Sequence, residues 1–204
     1  MMHCEKEFIN DTKNGVSNVL IDKWFHDRYS TSKHLWIFYS IICGLNAKSV
    51  GEIGFGRSTI ILLHALGVTG GKLICCDRLD FQSMIPSIYK GRYTYIHGDS
   101  SKFYEHPEVG GLDFLFLDYM SVKKTPAESY YKDLKKAVKL MKTNGIIAVH
   151  DAGDRRYNVG KAFEMLKKKK GLEVLTLPFN CGMGLIRNRR KSNYGKIRDV
   201  WHKK

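Results

Sequence analysis

Apolar and polar positions along this chain change rhythm at regular intervals. Short runs rich in apolar residues stand at Ser49–Ile53, Lys72–Cys76, Tyr93–His97, Asp113–Leu117, Gly145–Val149 and Glu173–Leu177, and a seventh stands at Gly184–Arg187. Between the first six lie stretches with helical spacing: Ser58–Leu66, Phe81–Tyr89, a short one at Ser101–Glu105, Ala127–Met141 and Val159–Lys168. An apolar-rich helix over Ser32–Leu45, with Ser32 placed to cap it, precedes the series. Strands alternating with helices predict a mostly parallel sheet covered on both faces. Only Pro178 to Met183 separates the last two strands. A parallel crossover needs about a dozen residues, so this pair should be an antiparallel hairpin. The expected fold class is α/β: a doubly wound, mostly parallel seven-stranded sheet with its last strand antiparallel.

Residues 1–31 are polar and aromatic without periodicity, and read as a cap or lid. The domain proper is expected over 32–188, and 189–204 as a basic tail. Trp24, Phe25, Tyr29 and Trp36 are candidates for covering a site, though packing of a cap against the sheet explains such residues as readily. Tyr130 and Tyr131 read as packing residues.

Length and composition narrow the class. A chain of 204 residues suits one domain with a full core, and 43% hydrophobic with 26% charged residues is ordinary for a soluble globular protein. No run approaches the ~20 apolar residues that span a bilayer. The first residues lack the layout of a secretion signal, so a cytoplasmic enzyme is expected. Cysteines at 4, 43, 75, 76 and 181 are odd in number and lack zinc-site spacing, which predicts reduced thiols. Cys75 and Cys76, as strand neighbours, should face opposite sides of the sheet. Lys and Arg outnumber Asp and Glu by 34 to 20, a net charge of +14. That makes nucleic acid a possible partner, although lysines near helix C-termini also serve the helix dipole.

The candidate chemistry sits at strand ends. Glu52-Ile53-Gly54-Phe55-Gly56-Arg57-Ser58-Thr59 follows the first strand and opens a helix. Gly54 and Gly56 let the chain turn sharply and let a ligand approach the backbone, and the helix start at Ser58 offers free N–H groups. Thr59 occupies the place of the third glycine of the dinucleotide fingerprint, which argues against a nicotinamide cofactor. Glu52, two residues before the first glycine, suits an ammonium-bearing ligand better than a pyrophosphate. Asp77 closes the second strand, where an acid can accept two ribose hydroxyls. After the third strand, Asp99 can take an adenine amine and the Ser100 amide a ring nitrogen. Asp118 closes the fourth. Each acid alone could be a helix cap, but four at successive strand ends suggest a nucleoside ligand.

These segments, over roughly residues 32 to 187, resemble the successive motifs of class I S-adenosylmethionine-dependent methyltransferases. The resemblance implies a Rossmann-like methyltransferase fold and S-adenosylmethionine held by Glu52, Gly54, Gly56, Ser58, Asp77, Asp99, Ser100 and Asp118. The stretch from Leu117-Asp118 through Tyr130-Tyr131-Lys132-Asp133-Leu134 to Val149-His150-Asp151 is similar to the cephalosporin hydroxylase-like and macrolide-sugar O-methyltransferases, and more distantly to the catechol type. The pattern departs at Tyr119 and Ser121, which replace the family's Gly and His. It also departs at Thr143-Asn144, which replaces its Pro-Gly. The acceptor and metal use therefore stay open.

Methyl transfer to a hydroxyl is helped by a base or a divalent cation. Asp118 and Asp151 end neighbouring strands in this fold and are candidate ligands for Mg²⁺, His150 could act as base or ligand, and Asp118, His150 and Asp151 are the catalytic candidates. Consecutive strand residues point to opposite faces, so His150 and Asp151 need not both reach the cleft. The expected reaction is O-methylation of a small-molecule hydroxyl. The alternatives are an RNA ribose 2′-O-methyltransferase, for which Lys33, Asp118, Lys161 and Glu173 would have to act together, and a non-catalytic nucleic-acid-binding module. Asp118-Tyr119-Met120-Ser121 lacks the Pro-Pro-Tyr that marks amino-methylating enzymes.

Overall fold

The structure, a computed structural model, describes residue 26 and residues 30–118, 125–178 and 180–190. Most of the expected cap, including Trp24, Phe25 and Tyr29, and most of the basic tail lie outside these. Seven strands form one sheet: β1 (Ser49–Ile53), β2 (Lys72–Asp77), β3 (Tyr93–His97), β4 (Leu112–Leu117), β5 (Met141–His150), β6 (Leu172–Leu177) and β7 (Met183–Asn188). Their order is β3-β2-β1-β4-β5-β7-β6. Parallel pairing joins β3 through β5, and β7 inserts antiparallel between β5 and β6, as the short connection requires.

Among the described residues, the helices that flank the sheet are α1 (Leu35–Gly44), α2 (Arg57–Thr69), α3 (Ser100–Glu105), α4 (Ala127–Leu140) and α5 (Val159–Lys167). Two apolar clusters sandwich the sheet. One holds Ile53, Cys76, Leu115, Leu117 and Val149 with Leu134 and Phe163. The other holds Val50, Cys75, Phe114, Phe116 and Ala148 with Phe38 and Leu62. Cys75 and Cys76 thus take opposite faces, and Cys43, Cys75, Cys76 and Cys181 are free thiols. Tyr130 is buried in the core, whereas Trp36 is exposed on α1.

Three expectations are corrected. The helix foreseen over Phe81–Tyr89 is two short 3-10 turns, Gln82–Met84 and Ser87–Tyr89. Pro86 is the cause: it lacks an N–H and pushes the preceding residue out of the helical region, and Ile85 is extended at ψ 118. Ser32 does not cap α1. It is buried inside a 3-10 turn, Ser30–His34, that runs straight into the helix, and His34 takes the cap position without a side-chain capping bond. Finally, β5 begins at Met141, four residues earlier than expected. Its start pairs with Leu112, and the register shifts between Leu112 and Phe114. No helix among the described residues is long and apolar enough to cross a membrane.

Candidate active site

The order of strands reverses direction beside β1, between it and β4. In open parallel sheets this switch point, at the carboxyl ends of the strands, is where ligands bind. A cleft of about 230 Å³ opens there, lined by Gly54, Asp77, Asp99, Ser100 and Asp118 among the expected residues, together with Cys76 and Arg78. A larger open groove of about 870 Å³ runs along edge strand β3. Its walls, from Gln82 to Tyr95, carry none of the strand-end acids, so its size does not make it the site.

The loop after β1 is held tightly. Gly54 N–H donates to Cys76 O at 2.9 Å, and Asp118 N–H donates to Ile53 O at 2.9 Å. Gly54 has φ +102, and a Cβ there would lie 2.8 Å from the Asp118 carbonyl oxygen. Both facts require glycine. A Cβ at Gly56 would meet no protein atom within 4 Å, so protein packing makes no such demand there.

Glu52 and Ser58 do not line the cleft; they lie beneath its floor. The Ser58 hydroxyl donates to Glu52 Oε1 at 2.5 Å, the Thr59 hydroxyl to Oε2 at 2.6 Å, and the Cys75 thiol to Oε2 at 3.3 Å. Thr59 Oγ1 in turn accepts the Gly56 N–H at 3.1 Å. Glu52 therefore ties the start of α2 to the sheet, and Thr59, which breaks the dinucleotide fingerprint, gains a structural reason. Complete burial pushes the Glu52 carboxyl up to about 7, against the opposing effect of its hydrogen bonds.

Asp77 Oδ2 accepts Phe55 N–H and Oδ1 accepts Leu79 N–H, both at 2.9 Å. Each oxygen keeps a second lone pair that can accept another hydrogen bond. Asp99 caps α3, accepting the Ser101 N–H at 3.0 Å and hydroxyl at 2.6 Å. Those bonds hold its carboxyl below the usual range.

Asp118 links the cleft to a second group. His150 Nδ1 lies 3.0 Å from Asp118 Oδ1 and 3.2 Å from Asp151 Oδ1. His150 and Asp151 are both buried. Burial alone would lower the His150 pKa, but its bonds to Asp118 and Asp151 prevail and raise it to about 10. One candidate ligand atom from each of the three residues lies within 4.8 Å of the others, so the set could hold a metal ion.

Sequence reasoning missed two neighbours of this group. Thr31 Oγ1 donates to Asp118 Oδ2 at 3.3 Å, and the His34 ring meets His150 edge-on at a centroid distance of 5.9 Å. Burial first, then the charge of His150, lowers the His34 pKa to about 4, so it stays neutral. Nothing local marked either residue, because both precede a helix and reach the site only through packing. In contrast, the Lys33, Asp118, Lys161 and Glu173 set is not assembled. Glu173 is exposed on edge strand β6 and ion-paired with Arg187 and Arg189, away from the end of β4. Tyr119 and Ser121 lie outside the described residues.

The profile of the family described as a methyltransferase domain matches residues 52–152, from Glu52 through the Asp118, His150 and Asp151 cluster. Many solved structures share the fold, three of them among the most similar. Cofactor-bound Rv0187 from MTB has a TM-score of 0.66 and 16% identity, over 85% of this chain and 88% of its own. An SAH-bound Podospora anserina methyltransferase gives 0.63 and 17%, over 87% and 92%. A Bacillus cereus O-methyltransferase in complex with SAH gives 0.62 and 16%, over 84% and 89%. No curated protein matches the sequence. The family match spans the glycine loop, the acid-lined cleft and the cluster beside it, and the seven-stranded, mostly parallel sheet with an antiparallel β7 is the fold that the motifs implied. Residues 52–152 carry a methyltransferase domain, set in the sheet of a class I S-adenosylmethionine-dependent methyltransferase fold.

Proposed function

We propose that this enzyme methylates a hydroxyl oxygen of a small molecule, and that Asp118 and Asp151 hold a divalent cation, Mg²⁺ in the first instance, beside the acceptor. The observation that carries this reading is the convergence of Asp118, His150 and Asp151 next to the cleft. A hydroxyl is a poor nucleophile, and here several of the chain's groups could act on its proton. The name of the Bacillus cereus neighbour supports oxygen as the acceptor atom.

The donor set fits the ion. Two carboxylates supply hard oxygen ligands, and Mg²⁺ bound by one or two carboxylates keeps other positions for water and substrate oxygens. When bound, such an ion supplies a Lewis acid that lowers the hydroxyl's pKa and orients its oxygen. S-adenosylmethionine supplies the methyl group. The chain's own residues do the rest. Gly54 brings the backbone to the cleft, Asp77 offers acceptors for the ribose, and Asp118 joins the cofactor cleft to the acceptor side. His150, raised to about 10, keeps its proton at neutral pH and offsets the two carboxylates. It is therefore ill-suited as a free base there. The carboxylates can hold that proton or a dication, so the two compete.

The placing of Glu173 on edge strand β6, away from Asp118, argues against ribose methylation by a set of Lys33, Asp118, Lys161 and Glu173. The test is release of S-adenosylhomocysteine from a panel of catechols, sugars and other alcohols, with and without EDTA. Turnover of an alcohol that disappears in EDTA and returns with Mg²⁺ or Mn²⁺ supports the proposal. Turnover indifferent to EDTA but lost in His150→Ala would reject the ion, and methylation of amines alone would reject the oxygen acceptor.

A further inference from the structure

A second groove of about 250 Å³ lies at the far end of the molecule. Four cations from three places line it: Lys135 and Lys139 on α4, Lys169 just after α5, and Arg190 just after β7. Its floor is apolar, from Val138, Leu166 and Leu172, and its lining contains no acid. The groove sits where α4 ends and β5 begins. The ten residues of β5 then run to His150, so roughly 30 Å of strand separate it from the catalytic cluster.

The nearby carboxylates are already engaged by other bases. Asp133 pairs with Lys136, Glu164 with Lys167, and Glu173 with Arg187 and Arg189. Among the described residues no ion pair is made by Lys135, Lys139, Lys169 or Arg190. Lys135 lies over the Tyr131 ring, and the Arg190 Nε–H donates to the Lys170 carbonyl at 3.1 Å. The helix dipole accounts for Lys139, in the last turn of α4. It does not account for Lys135, more than a turn from the helix end, or for Arg190, which follows a strand. The sequence after Arg190 continues the charge, with Lys191, Lys196, Arg198, Lys203 and Lys204 against one acid, Asp199.

We propose that this groove docks the phosphodiester backbone of a single-stranded nucleic acid. Convergent, unneutralised cations match a row of phosphates, and Leu172, the half-buried residue of the floor, offers an apolar contact between them. An anionic membrane is a poorer match. The exposed large apolar residues that would insert, Trp36, Leu45, Val68, Leu79, Ile88 and Leu175, lie outside the groove. The inference does not rest on the acceptor proposed above, because it concerns the opposite end of the sheet.

The experiment is fluorescence anisotropy of a labelled oligouridylate 20-mer with the full chain, at 50 and 200 mM salt. Four phosphate contacts predict a loss of roughly fifty-fold in affinity between the two. Lys139→Gln/Lys169→Gln should bind about ten-fold more weakly at 50 mM and halve the salt slope. Lys72→Gln/Lys90→Gln removes the same charge from exposed positions elsewhere and should bind as the parent does. Thermal melting checks that both variants fold. The proposal is overturned if the oligonucleotide does not bind at 50 mM salt, or if the two double variants lose affinity equally. Tighter capture of polyglutamate or of phosphatidylserine vesicles would also overturn it.

Discussion

Asp151 Oδ1 lies 3.2 Å from His150 Nδ1, although the two residues are neighbours at the end of β5. Successive residues of a strand face opposite ways. Asp151 escapes that rule because its φ is +60, a left-handed conformation that Asp tolerates better than most residues. The backbone turns, and the carboxylate comes back to the histidine. Such a conformation costs on the order of 1–3 kcal/mol and persists only where the surroundings hold it. Asn accepts the same backbone. Asp151→Asn should therefore fold, keep cofactor affinity within about two-fold, and lose about a hundred-fold or more in turnover. Steady-state kinetics beside calorimetry measures both, and parental turnover would remove Asp151 from the machinery.

His150 makes the fold sensitive to alkali. Its folded pKa of about 10 exceeds the ordinary 6.5, because Asp118 and Asp151 outweigh the effect of burial. The stability that this contributes is complete below pH 6.5 and is lost as pH rises toward 10. Urea unfolding at pH 7 and pH 9.5 should show the parent losing stability relative to His150→Gln. Parallel losses in the two proteins would show that the histidine carries no such linkage.

Glu52 acts in a lower window. Its folded pKa of about 7 exceeds the ordinary 4.5, so the folded state holds a proton that the unfolded chain releases. Stability falls from pH 4.5 to 7, by roughly 3 kcal/mol for a shift of this size. His34, lowered to about 4, works in the opposite sense, losing its contribution as pH falls from 6.5 to 4. The informative quantity is the difference between parent and Glu52→Gln, which should shift in the variant's favour between pH 5 and 8. A difference independent of pH would mean that Glu52 is ionised throughout.

Gly54→Ala should destabilise by about 2–4 kcal/mol, from a left-handed φ together with a Cβ 2.8 Å from the Asp118 carbonyl oxygen. Because that contact sits on Asp118, cofactor binding should weaken as well. Chemical denaturation giving a change below about 1 kcal/mol would show that the loop relaxes freely.

Asp77→Ala should lower S-adenosylmethionine affinity by on the order of 2–3 kcal/mol, through lost ribose acceptors. The same carboxylate also holds Phe55 and Leu79 N–H groups, so the loop after β1 should loosen too. Calorimetry with S-adenosylhomocysteine reads the affinity directly. An unchanged dissociation constant would leave Asp77 as a loop brace only.

The fold was legible because its signals are local and periodic. Alternating runs placed all seven strands within a few residues, and the short link from Pro178 to Met183 foretold the antiparallel β7. Pro86 was in plain view, yet helical spacing around it outweighed its breaking effect in the reading of residues 81–89. The acids at the ends of β1 to β4 were equally visible as a set, but not their division of labour. A strand residue's side depends on register and on what packs over it. Three-dimensional packing alone put Glu52 beneath the floor, engaged by Ser58, Thr59 and Cys75, while Asp77, Asp99 and Asp118 stayed in the cleft. A single left-handed residue, Asp151, decided whether His150 had one carboxylate partner or two. Thr31 and His34 joined the cluster through contacts across more than 80 residues of sequence, where no local pattern can reach. Periodicity thus determined the scaffold, because backbone pairing follows it. Burial and convergent charge, properties of the assembled core, decided which acids line the cleft and which carboxylates surround His150.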